Sequence, residues 1–375
     1  MLGKSTFAKT RELMRKPKRF YDVQRLHVTD TGRKNALSGI RATVFGGTSP
    51  LGAAIGMKLN HFGSICVYPH RATGDFSNPI FRELRVNADL GYKAAIRLMD
   101  FTDQNEIDFT LKHSNVAICA IGSRRFYKNQ EDFDDANIHV PVTIAKAIRD
   151  NPEIKRFIYI SAAGADPNSP SRMLRTKWLG EQRVRDIYPD VTVLRPTTIF
   201  NTLDPNNSPQ GKWGSMLKMF NRTVFRVEGA NGLVQPVSFG DIALATINAL
   251  KDEESIGQAY ELGGPHVYTW DEIYEMFHSV TGVKPYIIPL KLETVLEWAH
   301  SPKLSSHYRY MGKYWMYPEF LLNESIDITT NPDEKSFADL YIKPVAFATN
   351  VKQYVEDILI YNSGAHEVDP QAFNG

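Results

Sequence analysis

The sequence predicts an α/β fold, a doubly wound parallel sheet followed by a smaller mixed α/β C-terminal lobe. Three observations carry this. Between Ile40 and Tyr188 short β-branched runs alternate with stretches of helical spacing, the rhythm of βαβ units. The first unit turns on a glycine-rich segment from Ala42 to Ile55, A-T-V-F-G-G-T-S-P-L-G-A-A-I. After about residue 200 the texture changes to a loop-rich stretch, N-T-L-D-P-N-N-S-P-Q-G, and then to a region dense in Trp and Tyr.

Taken in order, the apolar runs place strands at Arg41 to Phe45, Ile65 to Tyr68, Ala95 to Leu98, Val116 to Ile121, Phe157 to Ser161 and Val191 to Leu194. Apolar residues recurring at three and four positions place helices at Gly52 to Phe62, Gln104 to Lys112, Val140 to Asn151 and Met173 to Ile187. Six strands in this alternation make a Rossmann sheet. Residues 201–375 read as the smaller lobe and a C-terminal interaction region, with a Met/Phe-containing helix and a segment from Val234 to Leu250 whose helix starts at Gly240-Asp241. Residues 1–37 form a basic N-terminal segment, and 38–200 form the dinucleotide-binding domain.

Composition narrows the class. A chain of 375 residues with 42% hydrophobic and 23% charged residues can bury a full core, and a net charge of +2 gives no general attraction to nucleic acid. Cys66 and Cys119 each lie in an apolar run and read as small core residues, with no spacing that suggests zinc or a disulfide framework. The first 25 residues carry Lys4, Lys9, Arg11, Arg15, Lys16, Lys18, Arg19 and Arg25 against Glu12 and Asp22, without an apolar core. That pattern is closer to a mitochondrial-type presequence than to a secretory signal, and a basic arm on an acidic partner or on RNA is the alternative. No run of about 18 apolar residues is present, so the chain is not expected to span a membrane, although it could lie against one.

The candidate site grows from the glycine turn. Gly46 and Gly47 permit a tight bend, Gly52 lets the next helix pack closely, and the N-H groups of Thr48, Ser49, Pro50 and Leu51's turn and helix start face where a pyrophosphate would lie, Pro50 itself contributing no donor. Ser49 stands where a middle glycine usually allows close approach, and its hydroxyl can donate to a phosphate oxygen. At the end of the second strand His70 and Arg71 occupy the place of an acidic residue, and a guanidinium there suits a 2′-phosphate, so NADPH is the expected cofactor. Asp100 and Phe101 follow the third strand at the adenine end. Ala120, Ile121 and Gly122 close the fourth strand and leave room for the ribose and nicotinamide half.

These elements resemble the atypical, extended short-chain dehydrogenase/reductase superfamily over roughly residues 38 to 265. In that superfamily a Ser, a Tyr and a Lys four residues later move the proton, with Tyr as the acid. In this chain Ser161 and Lys177 match the first and last, but the tyrosine position is Met173, whose thioether carries no proton to give. Lys177 is then expected to hold ribose hydroxyls, and Pro196 and Ile199 in V-T-V-L-R-P-T-T-I-F-N to lie by the nicotinamide carboxamide. Within the superfamily, S-G-I-R-A-T-V-F-G-G-T-S-P-L-G, L-K-H-S-N-V-A-I-C-A-I-G, F-D-D-A-N-I-H-V-P, N-S-P-S-R-M-L-R-T-K-W-L-G-E and V-Q-P-V are similar to the NAD(P)-binding accessory subunits of mitochondrial respiratory complex I, the alpha-subcomplex subunit 9 family. The resemblance implies a non-catalytic subunit that holds NADPH and stabilises or assembles the complex near the junction of its matrix and membrane arms. Its partners would be other complex I subunits, on the matrix side of the inner membrane with peripheral contact. The alternative is an atypical reductase, isomerase or epimerase using NADP(H) and some other acid.

Overall fold

The computed structural model describes residues 23–27, 38–71, 91–122, 133–200, 223–282, 284, 286–300 and 318–353. The loop-rich stretch after residue 200 and the Met/Phe-containing helix lie outside the described residues, as does the basic N-terminal segment apart from 23–27.

The first half alternates strands and helices: β1 Val23–His27, β2 Arg41–Phe45, α1 Pro50–His61, β3 Ile65–His70, β4 Tyr92–Arg97, α2 Gln104–Leu111, β5 Val116–Cys119, α3 Val140–Arg149, β6 Arg156–Ile160, α4 Arg172–Ile187 and β7 Thr192–Pro196. Then come β8 Ile199–Phe200, β9 Thr223–Val227, β10 Leu233–Val234, β11 Val237–Ser238, α5 Phe239–Lys251, β12 Ala259–Leu262, β13 Tyr268–Thr269, α6 Trp270–Thr281, β14 Tyr286–Leu290, α7 Leu292–His300 and α8 Pro318–Asn323. The main sheet runs β1-β4-β3-β2-β5-β6-β7-β12, and its strands are parallel except β1, which pairs antiparallel with β4 along one edge. Strand order reverses between β2 and β5, so the glycine turn opens at the crevice where doubly wound sheets take their ligands.

The side-chain period of two divides each strand between two covered faces. Ala42, Val44 and Ile118 pack with Ala53, Ile55 and Leu59 of α1 and with Ile242, Ala245 and Ile247 of α5. Phe45, Ala117, Cys119, Phe157 and Tyr159 pack on the other face with Ile107 of α2, Ile144 and Ile148 of α3 and Val184 of α4. Both cysteines are buried in this core. Burial pushes the Cys66 thiol up to about 12 and the Cys119 thiol up to about 11, so neither is a thiolate at neutral pH.

Two assignments change. The segment from Val234 to Leu250 divides: Val234 packs in the lobe core, whereas α5 lies on the main sheet beside α1, and its N-cap is Ser238, whose Oγ accepts from Gly240 N. Likewise β12 comes from beyond residue 200 and completes the parallel sheet against β7. The lobe proper is built from the parallel pair β9 and β14 with α6, and its core holds Phe200, Val224, Trp270, Tyr274, Phe277, Phe347 and Val351. Trp270 and Tyr274 are thus core, whereas Tyr286 is exposed.

A C-terminal strap joins the two parts. Ile328 bridges to Val234, Asn331 N donates to Glu261 Oε2 at 2.7 Å, and Glu261 N donates to Lys335 O at 2.8 Å, covering the β12 edge. Phe337, Leu340 and Ile342 then enter the α1/α5 core, where Asn248 Nδ2 donates to Leu340 O and Val345 N donates to Asp241 Oδ2, both at 2.8 Å. Phe347 and Val351 return the chain to the lobe.

Candidate functional site

The turn between β2 and α1 is shaped by three glycines, each for a different reason. Gly46 has φ of +84°, and a Cβ on it would stand 2.8 Å from Ala120 O, so both conformation and space demand glycine. Gly47 has ordinary φ, but a Cβ there would run into the Tyr68 ring of β3. Gly52 brings α1 against the turn, since a Cβ would lie 2.7 Å from Gly46 C and 3.0 Å from Gly47 Cα. Gly56, one turn later, gives way to the same Tyr68 ring, whose hydroxyl accepts from Asn60 Nδ2 at 2.7 Å. The second glycine of the pair therefore answers to a side chain 21 residues away rather than to the bend.

Ser49 is the N-cap of α1: its Oγ accepts from Gly52 N at 3.1 Å, and Pro50 follows at the first helical position. That bond uses an oxygen lone pair and leaves the hydroxyl proton outside it. Thr48 and Leu51 are half-buried on either side, and no acidic residue sits in the first turn, which leaves the positive end of the helix dipole unneutralised.

At the ends of β3 and β4, Arg71 is exposed and its guanidinium carbon sits 6.0 Å over the Phe101 ring, so the two residues form one corner. His70 is 2% exposed and lies behind this corner within the fold. Asp100 Oδ1 accepts from Thr102 N at 2.8 Å and from Thr102 Oγ1 at 2.7 Å, a local turn that keeps the carboxylate at the surface. Glu106, buried in α2, accepts from Met99 N at 2.8 Å and Asp100 N at 3.1 Å and so fixes the loop. Sequence reasoning missed Glu106, although a glutamate in the first turn of a predicted helix is a recognisable signal.

At the other end, Lys177 is 7% exposed and its Nζ donates to Ile160 O at 2.9 Å and Ile121 O at 3.1 Å. It also lies 5.4 Å from the Tyr159 ring centroid. The ammonium thereby joins the carboxyl ends of β5 and β6, and Gly122 lies against it, where an added Cβ would stand 2.7 Å from Nζ. Ala120 N donates to Phe45 O at 2.9 Å, tying this end to the glycine turn. Asn137, in the π-helical turn Asp135–His139 ahead of α3, donates to Thr176 Oγ1 at 2.8 Å and holds α4 in register. Pro196 O accepts from Ala163 N at 2.9 Å, and Ile199 pairs with Val237 in a short parallel ladder at the lobe entrance.

Met173 does not replace an acid with another polar group. It is 4% exposed and packs with Phe133, Ala162 and Leu174, so the tyrosine position is part of a small apolar core. Ser161 is buried beside Glu181, the residue one turn beyond Lys177. Burial alone would raise the Glu181 carboxyl, but hydrogen bonds and ion pairing with Arg195 (2.7 Å), helped by Ser161 and Arg185, hold it below the ordinary carboxylate value. Arg195 also reaches Glu261 at 3.5 Å, so α4, β7 and β12 share one network under the site. Tyr159 lies at full depth, and burial pushes its hydroxyl well above the usual range.

A glycine turn at the switch point of a parallel doubly wound sheet, leading into a helix whose first turn is free of acidic residues, defines a Rossmann α/β fold. The fold recurs in UDP-glucose 4-epimerase from Thermotoga maritima, with a TM-score of 0.63 and 14% identity over 87% of this chain and 100% of that one. It also recurs in UDP-glucuronic acid 4-epimerase from Bacillus cereus in complex with UDP-glucuronic acid and NAD, with a TM-score of 0.63 and 13% identity over 86% and 100%. No family profile matches the chain. The mitochondrial 40 kDa subunit of NADH-ubiquinone oxidoreductase from Neurospora crassa is 30% identical over 349 residues, 92% of this chain and 86% of that protein. NADH dehydrogenase (ubiquinone) 1 alpha subcomplex subunit 9 is 35% identical over 261 residues in Arabidopsis thaliana and 30% over 263 in Mus musculus, each 69% of this chain. The chain belongs to this family of subunit 9 and 40 kDa subunits. It spans 62% of the plant relative's length and 66% of the mouse relative's.

Proposed function

We propose that this chain is a non-catalytic accessory subunit of mitochondrial respiratory complex I, associated with the matrix side of the inner membrane, that holds NADPH as a brace. The observation that carries the reading is the contrast within one site. The cradle is complete, with Gly46 and Gly52 leaving space only a backbone can use and α1 presenting its N-terminus, while the acid's position is filled by apolar Met173. A dinucleotide fits the residues present: the turn and Ser49 at the pyrophosphate, Arg71 at a 2′-phosphate, Asp100 and Phe101 at the adenine, and Gly122 and Lys177 at the nicotinamide ribose. Family membership supports the complex I assignment and its partner subunits. Among the described residues no helix is long and apolar enough to cross a membrane, in keeping with peripheral attachment.

A ligand that binds only the folded state stabilises it by mass action, about 2.7 kcal/mol at a concentration 100-fold above Kd. That makes a retained nucleotide a structural element. The retained Ser161 and Lys177 favour a second reading, a reductase or epimerase working through a different acid. Nucleotide released by acid from the intact native complex separates the two. Near-stoichiometric NADPH that survives purification and is not turned over by added acceptors supports the brace, whereas steady NADPH consumption by the isolated chain overturns it.

A further inference from the structure

The loop after β4 is held by a carboxylate that its own helix does not use. Asp103 caps α2 through Oδ1, which accepts from Asn105 N at 2.9 Å, and Glu106 stands at the third helical position. A glutamate there ordinarily reaches back to the amide of the capping residue. Glu106 instead passes the cap and accepts from Met99 N at 2.8 Å and Asp100 N at 3.1 Å, while Asp103 N turns to Asp100 O at 3.4 Å. The residue is 1% exposed, so both bonds are made by a buried charge and are of the strong kind.

This clasp decides which polar groups the loop has left over. Leu98 N donates to His70 O, Met99 N and Asp100 N to Glu106, Thr102 N to Asp100 Oδ1 and Asp103 N to Asp100 O. Among the described residues, Phe101 N is the one amide from Leu98 to Asp103 without an acceptor. Next to it in the chain, Asp100 commits Oδ1 to Thr102 N and Thr102 Oγ1, which leaves Oδ2 as its open acceptor. One acceptor beside one donor complements the N6 amine and N1 of adenine. Hypoxanthine offers the reverse, a carbonyl and an N-H at the same two positions.

We propose that Glu106 is a positioning residue for base selection: by holding the amides of Met99 and Asp100 it leaves Asp100 Oδ2 and Phe101 N to meet the base, and so sets a preference for adenine. The inference rests on the dinucleotide reading. Without the carboxylate, two further amides become donors at the loop, and a carbonyl in the place of the adenine amine gains partners.

Binding of NADPH, of its hypoxanthine analogue deamino-NADPH and of NADH to the full chain is measured by calorimetric titration. The wild type is compared with Glu106→Gln, which keeps the shape of the side chain and loses the charge and one acceptor. The wild type is expected to prefer NADPH to deamino-NADPH by about tenfold or more, and Glu106→Gln to shrink that preference to about threefold or less. The ratio of NADPH to NADH, read at Arg71, is expected to stay the same in both. Equal loss of affinity for NADPH and deamino-NADPH in Glu106→Gln shows a merely structural role and overturns the proposal. A wild type that binds the two equally overturns it while the nucleotide reading stands; a wild type that binds none of the three removes the nucleotide reading and the proposal with it. Amide exchange in the wild-type chain requires no variant to fold. The amides of Met99 and Asp100 are expected to be protected without nucleotide, and that of Phe101 to become protected with NADPH but not with deamino-NADPH. Fast exchange at Met99 and Asp100 in the nucleotide-free chain overturns the clasp.

Discussion

Gly52→Ala tests the turn most directly. The added methyl would stand 2.7 Å from Gly46 C and 3.0 Å from Gly47 Cα, and nearer still to Gly46 O, and all three are backbone atoms that no rotamer change can move aside. Either α1 or the turn must shift by a substantial fraction of an ångström. Overpacking of this kind costs about 1–3 kcal/mol. Replacing glycine in a helix recovers up to about 1 kcal/mol of propensity, so the net loss is smaller than the clash alone. A built-in control is Gly240→Ala at the second position of α5, where an added Cβ meets only Ser238 Oγ at 3.5 Å. That change should be neutral or slightly stabilising. Thermal unfolding with and without NADPH is the assay. Gly52→Ala is expected to lower Tm in the nucleotide-free chain and to weaken NADPH at least tenfold, about 1.4 kcal/mol, because the helix N-terminus is displaced. If Gly52→Ala and Gly240→Ala behave alike in both measurements, close packing of helix on turn is not what forms the cradle.

Arg71→Glu should reverse the preference between NADPH and NADH in a binding titration, since the corner would lose its cation and gain a hydroxyl acceptor; an unchanged ratio excludes Arg71 from 2′-phosphate recognition. Met173→Tyr puts a phenol into the pocket formed by Phe133, Ala162 and Leu174, so destabilisation of about 1–3 kcal/mol without gain of reductase activity is expected; appearance of turnover would revive the enzyme reading. The Glu181 carboxyl, held below its ordinary value by Arg195 despite burial, contributes stability that is fully present above the unfolded value near about 4.3 and is lost as pH falls through the folded value. Glu181→Gln should therefore flatten the acid limb of a stability-versus-pH curve below pH ~4.5, and an unaltered limb would show that the pair does not titrate with unfolding.

Local chemistry was legible and long-range chemistry was not. β2 begins and ends as the apolar run predicts, because Ala42 to Phe45 are buried on both faces and Gly46 stops the strand. β4 starts at Tyr92, three residues before the predicted Ala95, since the charged Lys93 interrupts the apolar pattern yet is fully buried. The glycines of the turn were readable as a group, but that Gly47 answers to Tyr68 depends on β2 and β3 lying side by side. Met173 could be seen to lack a proton, whereas its seat among Phe133, Ala162 and Leu174 requires the fold. Glu181 and Arg195 are 14 residues apart on different elements, and no periodicity links them. β12 was missed because four residues, A-Y-E-L, are too short to stand out from a region read as the lobe.

The route of the C-terminal strap bears on timing. A chain that emerges N-terminus first presents the β7 edge long before Ala259–Leu262 arrive to pair with it, and Phe337 to Ile342 arrive later still to fill the space beside α1 and α5. The Rossmann half is thus unfinished until residues 337–342 have been made, and its folding waits on them. A frameshift or nonsense codon near residue 330 would accordingly be felt first at the Rossmann core, far in sequence from the lesion, as a chain that chaperones hold rather than release.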